Sequence, residues 1–447
     1  MTILNWIIDH LILVFFFAVG SVVVYTSAAG RSKHHKKAKK KLKKAIDSQM
    51  NEPMTLHPDI DTSLCIGCGA CTLACPEGDI LQLINHKAVL VTPTKCVGHG
   101  ECEVVCPMGA INLVFGTKTR GMDIPRVSTN YETNVPGLYI AGELGGMGLI
   151  RNAVKQGTLA SEHALQNVPK QKVDYDVAII GAGPAGIAAG MNAVNKKRNY
   201  IVMEQNAFGG TIYSFPRQKL VMSHPFTLPI TGTAQFKGHE VSKEDLLSYF
   251  SKVKKQAGLK VHEKMRFENI EKKGEVFHLK TNQGDVTAGR VILAMGVRGS
   301  PRKLGVPGEE KPKVTYNLID PEQYQKKKIV VVGGGNAGAE VAQMLADARW
   351  GNTVHQLVRS HTFDRCNEDN IKRLKKLEAA NRLSIWYNSS IVSIHDDHVI
   401  IKKENDTVNV PNDFVFVMAG AELPHKFLSS VGIKIEKKFG EGLRKSQ

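Results

Sequence analysis

Residues 11–29, LILVFFFAVGSVVVYTSAA, hold nineteen positions without a charge. As a helix this run would be about 28 Å long, close to a hydrocarbon core of about 30 Å. The pattern predicts a single transmembrane helix over residues 1–30, with Trp6 and Tyr25 near the interfaces and Asp9 and His10 at the outer end. Charged positions then take over, and residues 31–57 read as a basic linker. From residue 175 the pattern changes again. Short apolar strands, YDVAII and later IVVV, run into glycine loops and then into Ala-rich helices. Strands that alternate with helices predict an α/β fold.

At 447 residues the chain is long enough for two to four domains. Its formal charge is +17, but nine of the positive residues lie between Arg31 and Lys44. The remainder is mildly basic, so nucleic acid is not expected as a partner. No Lys or Arg precedes residue 31. A cleaved signal peptide carries its positive charges ahead of the apolar run, so a retained anchor is expected instead. The excess of Lys and Arg after the span places residues 31–447 in the cytoplasm. The expected location is the cell inner membrane, single-pass. The basic run would lie on anionic lipid or form a solvated helical linker.

Seven of the eight cysteines fall between residues 65 and 106. In a reducing compartment such clustering points to metal rather than disulfides. CIGCGACTLACP (65–76) places Cys65, Cys68, Cys71 and Cys75 in a C-x2-C-x2-C-x3-C-P run, the spacing of an iron–sulfur loop. The chain then repeats itself. CIGCGACTLACPEGDI (65–80) aligns with CVGHGECEVVCPMGAI (96–111), bringing in Cys96, Cys102 and Cys106. A zinc site needs only four ligands, fewer than the thiols present. In the second copy His99 stands where the first has Cys68.

Residues 58–116 resemble two-cluster bacterial ferredoxins. The resemblance implies cross-ligation: Cys65, Cys68, Cys71 and Cys106 on one [4Fe–4S] cluster, and Cys75, Cys96 and Cys102 on a second. Three readings of His99 stand. It ligates the fourth iron of a [4Fe–4S] cube, it leaves a gap and hence a [3Fe–4S] cluster, or it points to solvent. Imidazole ligation would raise the reduction potential.

Two dinucleotide fingerprints follow. The first, YDVAIIGAGPAGIAAG (175–190), carries Gly181, Gly183 and Gly186, with Glu204 closing the next strand. Strand, glycines, helix and acid at this distance point to a pyrophosphate at a helix N-terminus and a ribose held by Glu204. The second, KKIVVVGGGNAGAEVAQML (327–345), carries Gly333, Gly335 and Gly338, and its next strand leads to Arg359 rather than an acid. A cation there suits a 2′-phosphate, favouring NADPH over NADH.

Residues 121–447 resemble the two-dinucleotide flavin reductases of the thioredoxin-reductase-like group, bacillithiol disulfide reductases in particular. IYSFPRQ (212–218), GVPGEEKPKV (305–314) and NDFVFVMAGAELPHKFLSSVGIKI (412–435) carry the likeness. The resemblance implies FAD and NAD(P)H as cofactors, and a homodimer. It also exposes a difference of order. The family ends on a strand–helix segment that closes over the flavin, and this chain stops before one. YETNVPGLYIAGELGGMGLIRNAVKQG (131–157) supplies it upstream, so the reductase looks circularly permuted, with Gly142 and Glu143 beside the flavin. The family's C-x-x-C is absent, and the first-loop cysteine of bacillithiol reductases is Ala185 here.

The expected fold is an α/β flavoprotein with two dinucleotide-binding domains, an N-terminal α+β ferredoxin domain and a transmembrane helix. The permuted segment would span 117–172, the FAD domain 173–300, the NAD(P)H domain 301–410 and the FAD-domain return segment 411–447. The expected function is membrane-anchored electron transfer between NAD(P)H, FAD, two clusters and an unidentified protein or small-molecule acceptor, in either direction. No catalytic side chain is assigned, because hydride transfer needs no acid or base from the protein. Two alternatives stand beside it: a disulfide or low-molecular-weight thiol reductase, and a redox-sensing or electron-transfer subunit of a membrane complex.

Overall fold

The computed structural model describes residues 2–47, 50–53, 55–238, 240–297, 301–404, 406–421 and 424–442. Its backbone contacts divide the chain into two units. One contains residues 1–53 and 57–113; the other contains residues 54–56 and 114–447.

The first unit opens with α1 (Thr2–Asp47), which runs without a break through the apolar and the basic stretches. The transmembrane expectation is corrected here: among the described residues, no helix is long and apolar enough to cross a membrane. Spanning requires a sustained apolar stretch, and the described part of α1 is interrupted by His10, Gly20, Ser21 and Thr26. The single-pass inner-membrane location is withdrawn with it. The interfacial roles expected of Trp6 and Asp9 fall on side chains outside those described.

The basic half of α1 is a packed element rather than a free linker. Ala38 and Leu42, one turn apart, pack against Ile84, Val89 and Val91. Lys41 also forms an ion pair with Asp79. The rest of the unit is small. Strand β1 (His57–Ile60) pairs with β4 (Ile111–Phe115), and β2 (Leu81–Ile84) forms a hairpin with β3 (Lys87–Leu90). Two short helices, α2 (Ala70–Ala74) and α3 (Glu101–Val104), carry the cysteine loops.

The second unit holds two main sheets, the first mixed and the second parallel. In the first, β7 (Tyr175–Ile180) lies between β8 (Tyr200–Glu204) and the long strand Val286–Leu293. The upstream strand β6 (Leu138–Ile140) joins this sheet in parallel on the other side of the long strand, with Ile140 opposite Leu293 and Leu293 opposite Ile180. Helix α4 (Ile150–Gln166) follows β6 and packs along α5 (Pro184–Asn195), the helix of the first glycine loop. Gly157 sets their approach: a Cβ there would lie 2.0 Å from the Ala185 carbonyl oxygen. Strand β5 (Met122–Pro125) pairs antiparallel with Ile435–Lys438 near the end of the chain.

The second sheet has five strands, all parallel, in the order Val314–Thr315, Phe414–Val417, Lys328–Val332, Thr353–Leu357 and Leu383–Trp386. Phe414–Val417, within the expected return segment, lies beside Lys328–Val332, with Val415 opposite Val330. Hydropathy marks this segment as a buried strand but does not say which sheet buries it.

Candidate functional site

In the cysteine-rich unit the duplication of sequence is also a duplication of backbone. Gly67 and Gly98 have φ of 71° and 78°, Gly69 and Gly100 of 80° and 87°, Gly78 and Gly109 of 72° and 60°. These left-handed positions favour glycine and wind each loop tightly enough for its thiols to turn inward. At Gly67 there is also no room, because a Cβ would lie 2.1 Å from the His86 carbonyl oxygen. Gly69 and Gly100 are the N-caps of α2 and α3.

Cys65, Cys68, Cys71 and Cys106 line one cavity, closed by Leu83, Ala88 and Ile111. Two backbone groups already point at its sulfurs: Ala88 N–H donates to Cys65 Sγ at 3.5 Å, and Ala110 N–H to Cys106 Sγ at 3.3 Å. Such donors stabilise thiolate charge and tune cluster potential. Cys75, Cys96 and Cys102 form the second group. Burial, then the nearby thiols, push Cys102 up to about 12. Burial pushes Cys96 up to about 11, with Cys75 and Glu77 adding to the rise. Such thiols stay protonated in water and lose their protons to solvent only as a metal cation binds the sulfur in their place. Two groups of thiols, one around the buried Cys71 and one around the buried Cys102, fit iron–sulfur clusters.

His99 lies with the second group. Its side chain is only 6 % exposed, and its Nε2 is 3.7 Å from Glu77 Oε1. The solvent-facing reading of His99 is therefore not what the structure contains.

The first glycine loop assigns a different task to each glycine. A Cβ on Gly181 would meet the Ala294 carbonyl oxygen at 2.5 Å, and one on Gly186 the Gly181 carbonyl oxygen at 1.8 Å. A Cβ on Gly183 would meet nothing within 4 Å. The outer two glycines close the turn and the strand–helix contact; the middle one leaves open the space a pyrophosphate needs. Glu204 is buried at the end of β8. It accepts from Ala182 N at 2.9 Å and Asn206 N at 3.0 Å, and a carboxylate retains further lone pairs for ribose hydroxyls. This loop fits FAD.

The upstream segment reaches the same loop. A Cβ on Gly142, where φ is 84°, would lie 3.2 Å from the Ala185 Cβ. Gly142 N–H donates to the buried Gln156 Oε1 at 2.7 Å. A Cβ on Gly296 would lie 3.9 Å from both the Glu143 carboxylate and the Thr211 hydroxyl, so these two groups converge beside the loop. Sequence reasoning missed Gln156 and Thr211; both act through folding rather than through a motif.

The second loop repeats the design. A Cβ on Gly333 would meet the Met418 carbonyl oxygen at 2.3 Å, one on Gly338 the Gly333 carbonyl oxygen at 2.4 Å, while at Gly335 the nearest atom is 3.8 Å away. Arg359 is exposed just beyond the strand Thr353–Leu357. Arg365, which sequence reasoning missed, bridges to Gly335. Burial, then Arg120, Arg359 and Arg302 nearby, push its guanidinium down from the ordinary value. This convergence of cations beside a glycine loop fits an anionic nucleotide. Cys366, in contrast, is fully buried in the core and pushed up to about 12 by burial.

Two glycine-loop domains joined to a cysteine-rich domain define a class: flavin- and nicotinamide-dependent oxidoreductases with a ferredoxin-like module. Comparison with known proteins agrees. Residues 178–442 match the pyridine nucleotide-disulphide oxidoreductase family, to which the chain belongs. Residues 57–107 match the 4Fe-4S dicluster domain. The chain is an FAD-dependent NAD(P)H oxidoreductase with an iron–sulfur domain. It is 27% identical over 268 residues to bacilliredoxin reductase Bdr of Bacillus subtilis, which covers 59% of this chain and 82% of that protein. It is 28% identical over 271 residues to a ferredoxin–NADP reductase of Ignicoccus hospitalis, covering 59% and 83%. Among solved structures, bacillithiol disulfide reductase Bdr (YpdA) of Staphylococcus aureus shares the fold, with a TM-score of 0.54, 23% identity, and coverage of 59% and 82%.

Proposed function

We propose that the chain moves electrons between NAD(P)H, FAD, two iron–sulfur clusters and a further acceptor. The observation that carries this reading is that two dinucleotide loops and two clustered cysteine groups share one polypeptide with no thiol pair left for disulfide exchange. After Cys106 the sequence contains Cys366 alone, and that thiol is fully buried. The Ignicoccus relative is named a ferredoxin–NADP reductase; here a ferredoxin-like domain belongs to the same chain.

Each part of the reaction falls to named residues. Gly181, Gly183 and Gly186 admit the FAD pyrophosphate to the loop ahead of α5, and Glu204 accepts from the ribose hydroxyls. Gly142, Glu143 and Thr211 hold the flavin side of the site. Gly333, Gly335 and Gly338 receive the nicotinamide dinucleotide, and Arg359 with Arg365 takes a 2′-phosphate, selecting NADPH. Cys65, Cys68, Cys71 and Cys106 hold a [4Fe–4S] cluster; Cys75, Cys96 and Cys102, with His99, hold the second. When bound, FAD supplies the conversion between two-electron hydride chemistry and one-electron cluster chemistry.

The reductase part is circularly permuted in this reading. Three observations support it. Strand β6 occupies a regular place in the FAD-type sheet. The strands Met122–Pro125 and Ile435–Lys438 pair as the two sides of an opened hairpin. The family match begins only at residue 178, although β6 and α4 pack in the same sheet and on the same helix.

A second reading, reduction of a disulfide or a low-molecular-weight thiol, is favoured by the likeness to Bdr. One experiment separates them. Full-length protein is compared with a Cys65→Ser/Cys96→Ser variant under anaerobic NADPH. The proposed function predicts equal flavin bleaching in both, loss of most one-electron reduction of cytochrome c in the variant, and no NADPH-driven disulfide reduction in either. Disulfide turnover by both proteins, or cytochrome reduction indifferent to the cysteines, would overturn it.

A further inference from the structure

The two cysteine groups are unequal, and the inequality has a second half. His99 replaces the repeat's Cys68. Two residues after Cys75, the first repeat carries Glu77; the same position of the second repeat, two residues after Cys106, is Met108. Each departure stands beside the group with three thiols. The two side chains also meet: His99 Nε2 lies 3.7 Å from Glu77 Oε1, with the imidazole 6% and the carboxylate 17% exposed. Met108 is 46% exposed. Glu77 is close enough to the group for its charge to act on both Cys75 and Cys96.

A metal-bound imidazole uses one nitrogen as ligand and donates from the other, and a carboxylate acceptor fixes which is which. We propose that Glu77 is a positioning residue for the second cluster. It accepts from Nε2–H of His99 and so presents Nδ1 to the iron that no cysteine reaches. The present separation exceeds a hydrogen bond; in this proposal the two side chains close on each other when the cluster is bound. This rests on the reading that the second group holds a cluster, and it makes that cluster a histidine-ligated cube rather than a three-iron one.

The test uses the full chain, labelled with nitrogen-15 histidine, reconstituted anaerobically with iron and sulfide, and examined by continuous-wave and pulsed electron paramagnetic resonance. Wild type should contain two [4Fe–4S] clusters and a histidine nitrogen coupling that His99→Cys abolishes. Glu77→Ala should lose that coupling and show a three-iron signal when oxidised. Glu77→Gln, whose amide oxygen still accepts from Nε2–H, should keep the cube and the coupling with a shifted midpoint potential. In the His99→Cys background, Glu77→Ala should leave both cubes intact, since a thiolate needs no orienting carboxylate. Wild type without the coupling would overturn the proposal. So would Glu77→Ala that behaves as wild type, or that damages the His99→Cys protein equally. Iron in the first group alone would overturn this inference and cut the proposed electron path to one cluster; no cluster in either group would overturn the function itself.

Discussion

At the scale of single residues, Gly183 and Gly186 share a loop and face opposite constraints. Gly186 touches the loop's own backbone, so Gly186→Ala forces the helix away from the turn and should cost about 1–3 kcal/mol together with bound flavin. Gly183 has an ordinary φ of −77° and open space beyond it. Gly183→Ala should leave the apo-protein's thermal midpoint nearly unchanged and weaken flavin retention on gel filtration. Equal thermal losses for the two variants would contradict these separate roles. Arg359 and Arg365 make a different claim. Losing a charge-assisted contact is worth about 1.5–3 kcal/mol, so either Ala variant should raise KM for NADPH by about ten- to a hundredfold and leave KM for NADH almost unchanged. The glycines and cysteines were legible in the sequence because their spacing is local. Arg365 and Glu77 were not. Arg365 becomes part of a site only when its segment bridges to Gly335, and Glu77 only when the loop carrying it faces that of His99.

At the scale of elements, α1 shows what a composition-based reading overlooks. Its nineteen uncharged positions read as a span and its lysines as a linker. The structure instead has one helix whose basic half uses Ala38 and Leu42 to cover Ile84 and Val91. Small residues among lysines give a weak apolar signal, and the face becomes recognisable only against its partner. Ala38→Asp should free this half of α1 and raise hydrogen exchange across residues 34–47. Lys41→Ala should change it little, because its ion pair with Asp79 is partly exposed and such pairs contribute about 0–1 kcal/mol. Matching exchange profiles for wild type and Ala38→Asp would show that the contact does not hold the helix. The strand–helix β6–α4 was legible in advance for the opposite reason. Its glycines, Gly142 and Gly157, are required by close contacts with Ala185 beside the first loop.

At the scale of the whole molecule, chain order and spatial order differ in the reductase. Strands Met122–Pro125 and Ile435–Lys438 pair although they lie far apart in sequence. Termini at an opened hairpin turn can be moved with little loss when the backbone around them is exposed. A chain without residues 1–116, in which residues 117–172 follow residue 442 through a short glycine linker, should therefore fold, bind FAD and oxidise NADPH. Failure to retain any flavin would contradict the permutation. The placement of Phe414–Val417 was less legible, since a fully buried strand carries no mark of which of two similar sheets receives it.

The central claim is that reducing equivalents from NADPH reach the cysteine-bound clusters within one chain. Anaerobic titration of the reconstituted full-length protein with NADPH, followed by optical absorption and electron paramagnetic resonance, tests it most directly. The flavin absorption should bleach first, and signals of reduced clusters should then grow in without any added carrier protein. Complete flavin bleaching with clusters that stay oxidised, in a protein whose iron and sulfide contents are full, would contradict the account.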